Sequence, residues 1–200
     1  MGNKIFALLI CILIILFFIA YKSLQECFAV VAADGEAYTV VESKNAEAAA
    51  DMLGRLNINN IKLLRHLKEH HPDKYQTQLL LSRYSPNIIR EHLPSIFAPE
   101  TSYIQNKGEE ACFCLRGGKD KPTKSTELVD FNTLMFVNLH EMSHLAEYVH
   151  GHPRKFWQTF KFLLQEGIKI GMYQPIDYAK YPVQYCGLEI YYNPYYDESM

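Results

Sequence analysis

This chain of 200 residues has no internal repeat, no low-complexity tract and no dense basic cluster. Its closest grouping of cations is Lys119, Lys121 and Lys124, in a chain of formal net charge −2 and pI ≈ 6.4. Phosphate-driven binding needs a concentrated Lys/Arg footprint, so its absence counts against a nucleic-acid partner. No Asn-x-Ser/Thr sequon is present, which counts against a glycosylated lumenal domain. Cysteine is sparse, at five. Cys11 sits in an apolar run, and the other four, Cys27, Cys112, Cys114 and Cys186, can pair in three ways or not at all, so the redox compartment stays open. Length excludes a multidomain machine and leaves room for one domain of roughly 150–180 residues.

What is present begins with that apolar run. Residues 5–21 read IFALLICILIILFFIAY, without a charge or a proline. As a helix this spans roughly 26 Å, just enough to cross a bilayer. A cleavable signal peptide is the rival, but the residues after the run offer no small-x-small cleavage site. The sequence is therefore read as an anchor over 1–23, with a transmembrane helix at about 5–21, and a domain over 24–200. The expected localisation is single-pass in a membrane. Lys4 and Lys22 flank the run evenly, so its orientation is not legible.

Two β-prone stretches around Asp34-Gly35 predict a hairpin or a single strand within 28–42. Apolar residues at three- and four-residue spacing (Ala49, Leu53, Leu56, Leu63, Leu67) predict a long amphipathic helix. It starts at Ser43 or Asn45, stops at His71-Pro72, and has Asn60 as its polar interruption. His70-His71 suits the negative end of the helix dipole. Residues 73–100 read as irregular or short helical structure around Pro86 and Pro94. The stretch from Thr101 to Arg116 predicts two strands about a glycine turn, followed by a polar loop over 117–125. Cys112 and Cys114 would share a strand face and pack in the core. From Asn132 a helix apolar on most of its circumference predicts a buried element ending near Gly151, and Pro153 begins another with a stripe of Phe156, Trp157, Phe160, Leu163 and Leu164. The tail after Gly167 holds 8 of the 14 tyrosines and is expected to wrap irregularly over the domain.

The chemistry sits on the buried helix. His140-Glu141-Met142-Ser143-His144 is an HExxH motif, whose histidines at i and i+4 project from one helical face toward a single ion. Burying two histidines and a glutamate without partners is unfavourable, and Zn²⁺ is a partner they fit. A catalytic zinc takes a third protein ligand, for which three residues compete. His152 follows Gly151, which can swing the chain back, and it is favoured. His150 points about 100° away from the His140/His144 face if the helix continues. Glu166, 22 residues after His144, is the third.

The string HEMSH-LAEYVHG-HPRKFW resembles the WLM-type and SprT-like zinc peptidases, with ligands His140, His144 and His152 and a packing pair Phe156-Trp157. The wider stretch over 38–196 is similar to metallopeptidase-like proteins of large double-stranded DNA viruses. The seven residues between His144 and His152 exceed the five common in WLM members. The resemblance implies a zincin-like α+β domain and a membrane-anchored zinc metallopeptidase acting on a protein or peptide. In that role Glu141 is the general base, and Tyr181 or Tyr185 stabilises the oxyanion. The strand Ala111–Arg116 resembles the zincin edge strand that pairs with extended substrate. Two alternatives stand beside it: a structural zinc protein without turnover, and a protease acting on DNA-bound proteins.

Overall fold

In the computed structural model, residues 6, 9–17, 27–94, 100–117 and 127–200 are described. Within the apolar run Phe6 and the described stretch 9–17 are helical. Among the described residues no helix is long and apolar enough to cross a membrane. The expected transmembrane helix, and the single-pass localisation built on it, are corrected accordingly. Residues 5, 7, 8 and 18–21 of that run, the polar loop beyond Gly117 and the three clustered lysines lie outside the described residues.

The domain is α+β. Strands β1 (Cys27–Val31) and β2 (Ala37–Val41) form the expected hairpin, with Gly35 at φ +87° in its turn. The anticipated long helix is α1 (Ala46–His70), and it ends where expected because Pro72 cannot continue it. Over 73–100, where irregular or short helical structure was expected, the chain forms the short helix α2 (Tyr75–Arg83) and a 3₁₀ turn, and then, unanticipated, strand β3 (Ile89–Glu91). Strand β3 is three residues long with a central arginine, so it carries no alternating apolar signature. Yet it is the middle of the sheet, because β4 (Ser102–Gln105) and β5 (Glu110–Phe113) complete the order β1-β2-β3-β5-β4. The inner pairings β2/β3 and β3/β5 are parallel, whereas β1/β2 and β4/β5 are antiparallel. Ala111–Phe113 is thus flanked on both sides, and the edge strand is β4, not the Ala111–Arg116 stretch.

Alternation of side chains along strands puts Tyr38, Val40, Ile89, Ala111 and Phe113 on one face, all nearly inaccessible. That face is covered by α1 and by α3 (Phe131–Leu145), with α4 (Arg154–Lys169) packed on α3. Asp130 caps α3 by accepting from the Thr133 amide at 2.7 Å. Asn60, the polar interruption of α1, exchanges two hydrogen bonds with the buried Asn138 of α3, at 3.1 and 2.7 Å. The pair locks the register of the two helices, because sliding either would leave buried amides unpaired. A second buried polar tie joins Glu91 to Arg116 at 2.7 Å.

The tail is more ordered than expected. Strands β6 (Val183–Tyr185) and β7 (Leu188–Ile190) form a second, two-stranded sheet, turning through Cys186 and Gly187 at φ +50° and +88°. Cys114 and Cys186 form a disulfide, so Cys114 is more than a core-packing residue, while Cys112 is buried and free. The bridge closes a loop of 72 residues that includes α3 and α4. Loop-closure entropy for that span gives about 4 kcal/mol. Replacing Cys186 by Ala is accordingly expected to lower the unfolding free energy by about that amount. Urea unfolding of parent and variant, each with and without reductant, measures it, and four coincident midpoints would rule the bridge out.

Candidate metal centre

The ring nitrogens of His140 and His144, one turn apart on α3, and that of His152 all converge. His152 Nε2 lies 3.0 Å from His140 Nε2 and 3.2 Å from His144 Nε2. Nitrogens about 2.0–2.1 Å from a tetrahedral zinc are themselves roughly 3.3 Å apart, so the three donors fit that ion. They are the metal-competent triad among the described residues. Phe156 packs against all three rings, with centroids 4.4–4.9 Å away, and Phe160 adds to the wall beside His140.

His152 reaches the other two because α3 stops early. The helix ends at Leu145, six residues short of the expected Gly151, and its last carbonyls are taken by cations from outside it. Arg83 donates to Leu145 and Glu147, and the Lys107 ammonium donates to the carbonyls of His144, Glu147 and Val149. Positive charge at a helix C-terminus both satisfies orphan carbonyls and opposes the dipole. Lys107 itself sits at φ +58° in the β4–β5 turn. The Glu147 carboxylate, fully buried, accepts from Thr159 at 2.6 Å and from the Tyr75 hydroxyl, pinning the loop to α2 and α4. Gly151 at φ +70° then reverses the chain, and Pro153 caps α4.

Burial, then the neighbouring imidazoles, push His140 down to about 3; burial followed by His152 and Lys107 push His144 down to about 4. Burial also lowers His152. All three are neutral at physiological pH, with lone pairs available to a cation. Glu141, between the two helical histidines, is buried and pushed up to about 8 by that burial, opposed by a hydrogen bond from the Ile104 amide of β4.

Two cavities meet at His140, Glu141 and Ser102. One, of about 530 Å³, is walled by aromatic and aliphatic side chains of α3, α4 and the β6–β7 hairpin. The other, of about 400 Å³, runs past His144 and His152 to Asn106 and Lys107. The rival ligands fall elsewhere. His150 is exposed and lines the second cavity without joining the triad. Glu166 is held in the α1–α4 contact by His66 at 2.8 Å, His71 at 3.1 Å and Lys169 at 2.6 Å. His71 is therefore an ion-pair partner as well as a helix end. Tyr181 is 69% exposed and borders neither cavity. Tyr185 lines the larger one, but its hydroxyl donates to the Cys114 carbonyl at 2.7 Å and bonds Ser102 at 2.8 Å. Sequence reading missed Lys107 and Arg83, since a lysine in a glycine turn carries no sign of the helix end it will meet.

No protein-family model and no solved structure matches the chain. It is similar to "Uncharacterized protein R325" of Acanthamoeba polyphaga mimivirus, at 32% identity over 190 residues covering 92% of each chain. It is also similar to "Uncharacterized protein 136R" of Invertebrate iridescent virus 6, at 40% identity over 55 residues, 28% of this chain and 31% of that one.

Two measurements bear on the site. One zinc per full chain is expected after reconstitution, lost in His140→Ala, His144→Ala and His152→Ala but kept in His150→Ala and Glu166→Gln; elemental analysis reads this, and retention in His152→Ala would break the triad. In metal-free protein the titrations oppose each other. Folded His140 and His144 refuse protons that the unfolded chain takes near 6.5, so stability declines as pH falls from 6.5 toward 4. Folded Glu141 keeps a proton that the unfolded chain releases near 4.5, so stability also declines as pH rises from 4.5 to 8. Metal-free Glu141→Gln is expected to gain a few kcal/mol over the parent at pH 8, at about 1.4 kcal/mol per pH unit, and nothing at pH 4. Denaturation at the two pH values checks it, and an equal difference at both would contradict a protonated Glu141.

Proposed function

This chain belongs to the family of viral proteins that includes the mimivirus protein R325, and we propose that it is a zinc-dependent metallopeptidase hydrolysing peptide bonds of a protein or peptide substrate. The observation that carries the reading is the convergence of three neutral imidazoles beside a buried carboxyl, at the meeting of two cavities. Structural zinc sites are usually closed by four protein ligands, whereas hydrolytic ones keep three and leave a position open. Among the described residues the triad has no fourth His, Cys, Asp or Glu ligand grouped with it. That favours turnover over a purely structural ion.

His140, His144 and His152 would hold the metal. When bound, zinc supplies Lewis acidity, polarising a carbonyl and easing deprotonation of water near neutral pH. Glu141 accepts the proton of the attacking water and delivers it to the departing amine, so the leaving group departs neutral. In the metal-free chain burial holds the proton on Glu141, and a dication on the neighbouring imidazoles would favour its carboxylate, the form that accepts the proton. Strand β4 is the last of its sheet and runs past Glu141, where an extended substrate would add as a further strand. Phe156 and Phe160 keep the inner side of the site dry, which strengthens every electrostatic contact there.

Glu141→Gln should retain stoichiometric zinc and lose hydrolysis by at least about 10²–10³-fold, the usual contribution of a general base. Elemental analysis with mass-spectrometric detection of peptide products tests both halves. A variant with parental turnover would remove Glu141 from the mechanism. Zinc retention with no hydrolysis by the parent on a broad peptide mixture would instead favour the structural-zinc alternative.

A further inference from the structure

The two cavities that meet at the metal centre differ in chemistry, and the difference follows from the tail. The smaller is lined largely by polar side chains, four histidines with Ser102, Asn106, Lys107 and Glu141, and by Tyr103 and Ile104 of β4. The larger is lined by Phe136, Val137, Trp157, Leu188, Ile190 and Tyr192. Three of these six come from the β6–β7 hairpin and the residues directly after it. That hairpin is fastened by the Cys114–Cys186 bridge and by the bond from the Tyr185 hydroxyl to the Cys114 carbonyl. It is therefore a fixed wall. Its residues Leu188 and Tyr191 are 58% and 69% exposed at the rim of a cavity that opens directly on His140 and Glu141. A volume of about 530 Å³ is within the range of pockets that enclose a ligand, and accommodates a large side chain. The charged residues of its lining beyond Glu141 are Glu100 and Glu189, both exposed and both acidic.

Strand β4 gives the direction. Glu100, Thr101 and Ser102 border the larger cavity, while Tyr103, Ile104, Asn106 and Lys107 border the smaller. A polypeptide adding to β4 in the more stable antiparallel sense runs opposite to Ser102→Gln105. It would pass the smaller cavity first, then the metal centre, then the larger cavity. We infer that the cavity walled by the β6–β7 hairpin receives a bulky apolar side chain, that of the residue immediately after the scissile bond. Glu100 and Glu189 repel an acidic side chain there. The tail hairpin is then the part of this chain that selects the substrate. This inference rests on the peptidase reading for the cleaved bond, and on the cavity alone for the side chain.

Trp157 is the single tryptophan of the chain and lines the cavity, so its emission reports occupancy independently of turnover. The test uses zinc-reconstituted full chain with alanine-based decapeptides carrying Phe, Leu, Ala or Asp at one position, with cleavage sites mapped by mass spectrometry. The same peptides are titrated into the Glu141→Gln protein while Trp157 fluorescence is followed. Cleavage on the amino side of Phe and Leu is expected, with kcat/KM at least about tenfold above Ala and with Asp below Ala. Phe and Leu peptides, and not Asp peptides, should shift Trp157 emission. Leu188→Arg, at an exposed position, should reduce the preference to less than about threefold. Cleavage without preference, or on the carboxyl side of the bulky residue, overturns the assignment and leaves the peptidase reading intact. A Trp157 response without cleavage by the parent supports the cavity and removes the peptidase reading. Silence in both experiments overturns both.

Discussion

Seven residues lie between His144 and His152, and the convergence of the three imidazoles depends on how they leave the helix. Had α3 continued to Gly151, its last turns would have carried the chain some 9 Å further along the axis, and His152 could not have met the other two rings. The helix stops because better partners for its terminal carbonyls arrive from elsewhere. Lys107 from the β4–β5 turn and Arg83 from the end of α2 take up the carbonyl oxygens of residues 144, 145, 147 and 149. Glu147 then anchors the released segment through Thr159 and Tyr75. Three elements distant in sequence thus cooperate to place one imidazole. The β-turn that supplies Lys107 also joins the edge strand β4 to β5, so the loop carrying His152 is held by the same hairpin that presents the sheet edge.

Around this arrangement the fold places polar groups inside and satisfies each pair. Asn60 with Asn138 fixes α1 against α3, Glu91 with Arg116 ties β3 to the stretch leading from β5, and Glu166 with His66 and His71 closes α4 on the end of α1. A buried ion pair adds little net stability over an apolar pair of similar volume, yet removing one partner costs about 3–5 kcal/mol. Such ties penalise misplacement more than they reward placement. A cluster in which His152 Nε2 lies 3.0 and 3.2 Å from the nitrogens of His140 and His144 gains from that rigidity. The site itself is unfavourable in the metal-free chain: the unfolded chain protonates its imidazoles below about 6.5 and releases the carboxyl proton above about 4.5, whereas burial keeps His140 and His144 neutral and Glu141 protonated well past those points. A bound cation would relieve this by pairing with the lone pairs that burial has left without protons.

The aromatic residues divide by role along α4 and the tail. Phe156 is a floor under the three ligands, Trp157 turns toward the larger cavity, and Tyr173 and Tyr178 fill the core beside Phe136. Tyr191 and Tyr196 remain at the surface. A tyrosine-rich segment supplies wide apolar faces with a hydroxyl at the end, so it can close a domain while satisfying scattered carbonyls, as Tyr185 does for Cys114.

Much of this was legible in the residues themselves wherever the controlling interaction is local. The 3.6-residue spacing of leucines specifies α1, the Asp34-Gly35 pair specifies the first hairpin, and the i, i+4 histidines specify a common face, because each rests on backbone geometry within one element. His152 stood out over His150 and Glu166 through the Gly-His-Pro context, which is also local. What needed the tertiary structure was every feature set by residues far apart in the chain. Strand β3 is three residues without alternation and exists only because β2 and β5 pair with it from both sides. The edge passes to β4 through strand order, and the disulfide partner of Cys114 lies 72 residues away. An apolar run of 17 residues met the length criterion for a span, but apolarity reports transfer from water and not the helix that forms, and among the described residues no helix is long and apolar enough to cross a membrane. By itself the sequence determined which side chains could hold a metal. Only the fold decided where α3 ends, and therefore that a third imidazole joins them, since the cations that terminate that helix come from elements with which it shares no sequence neighbourhood.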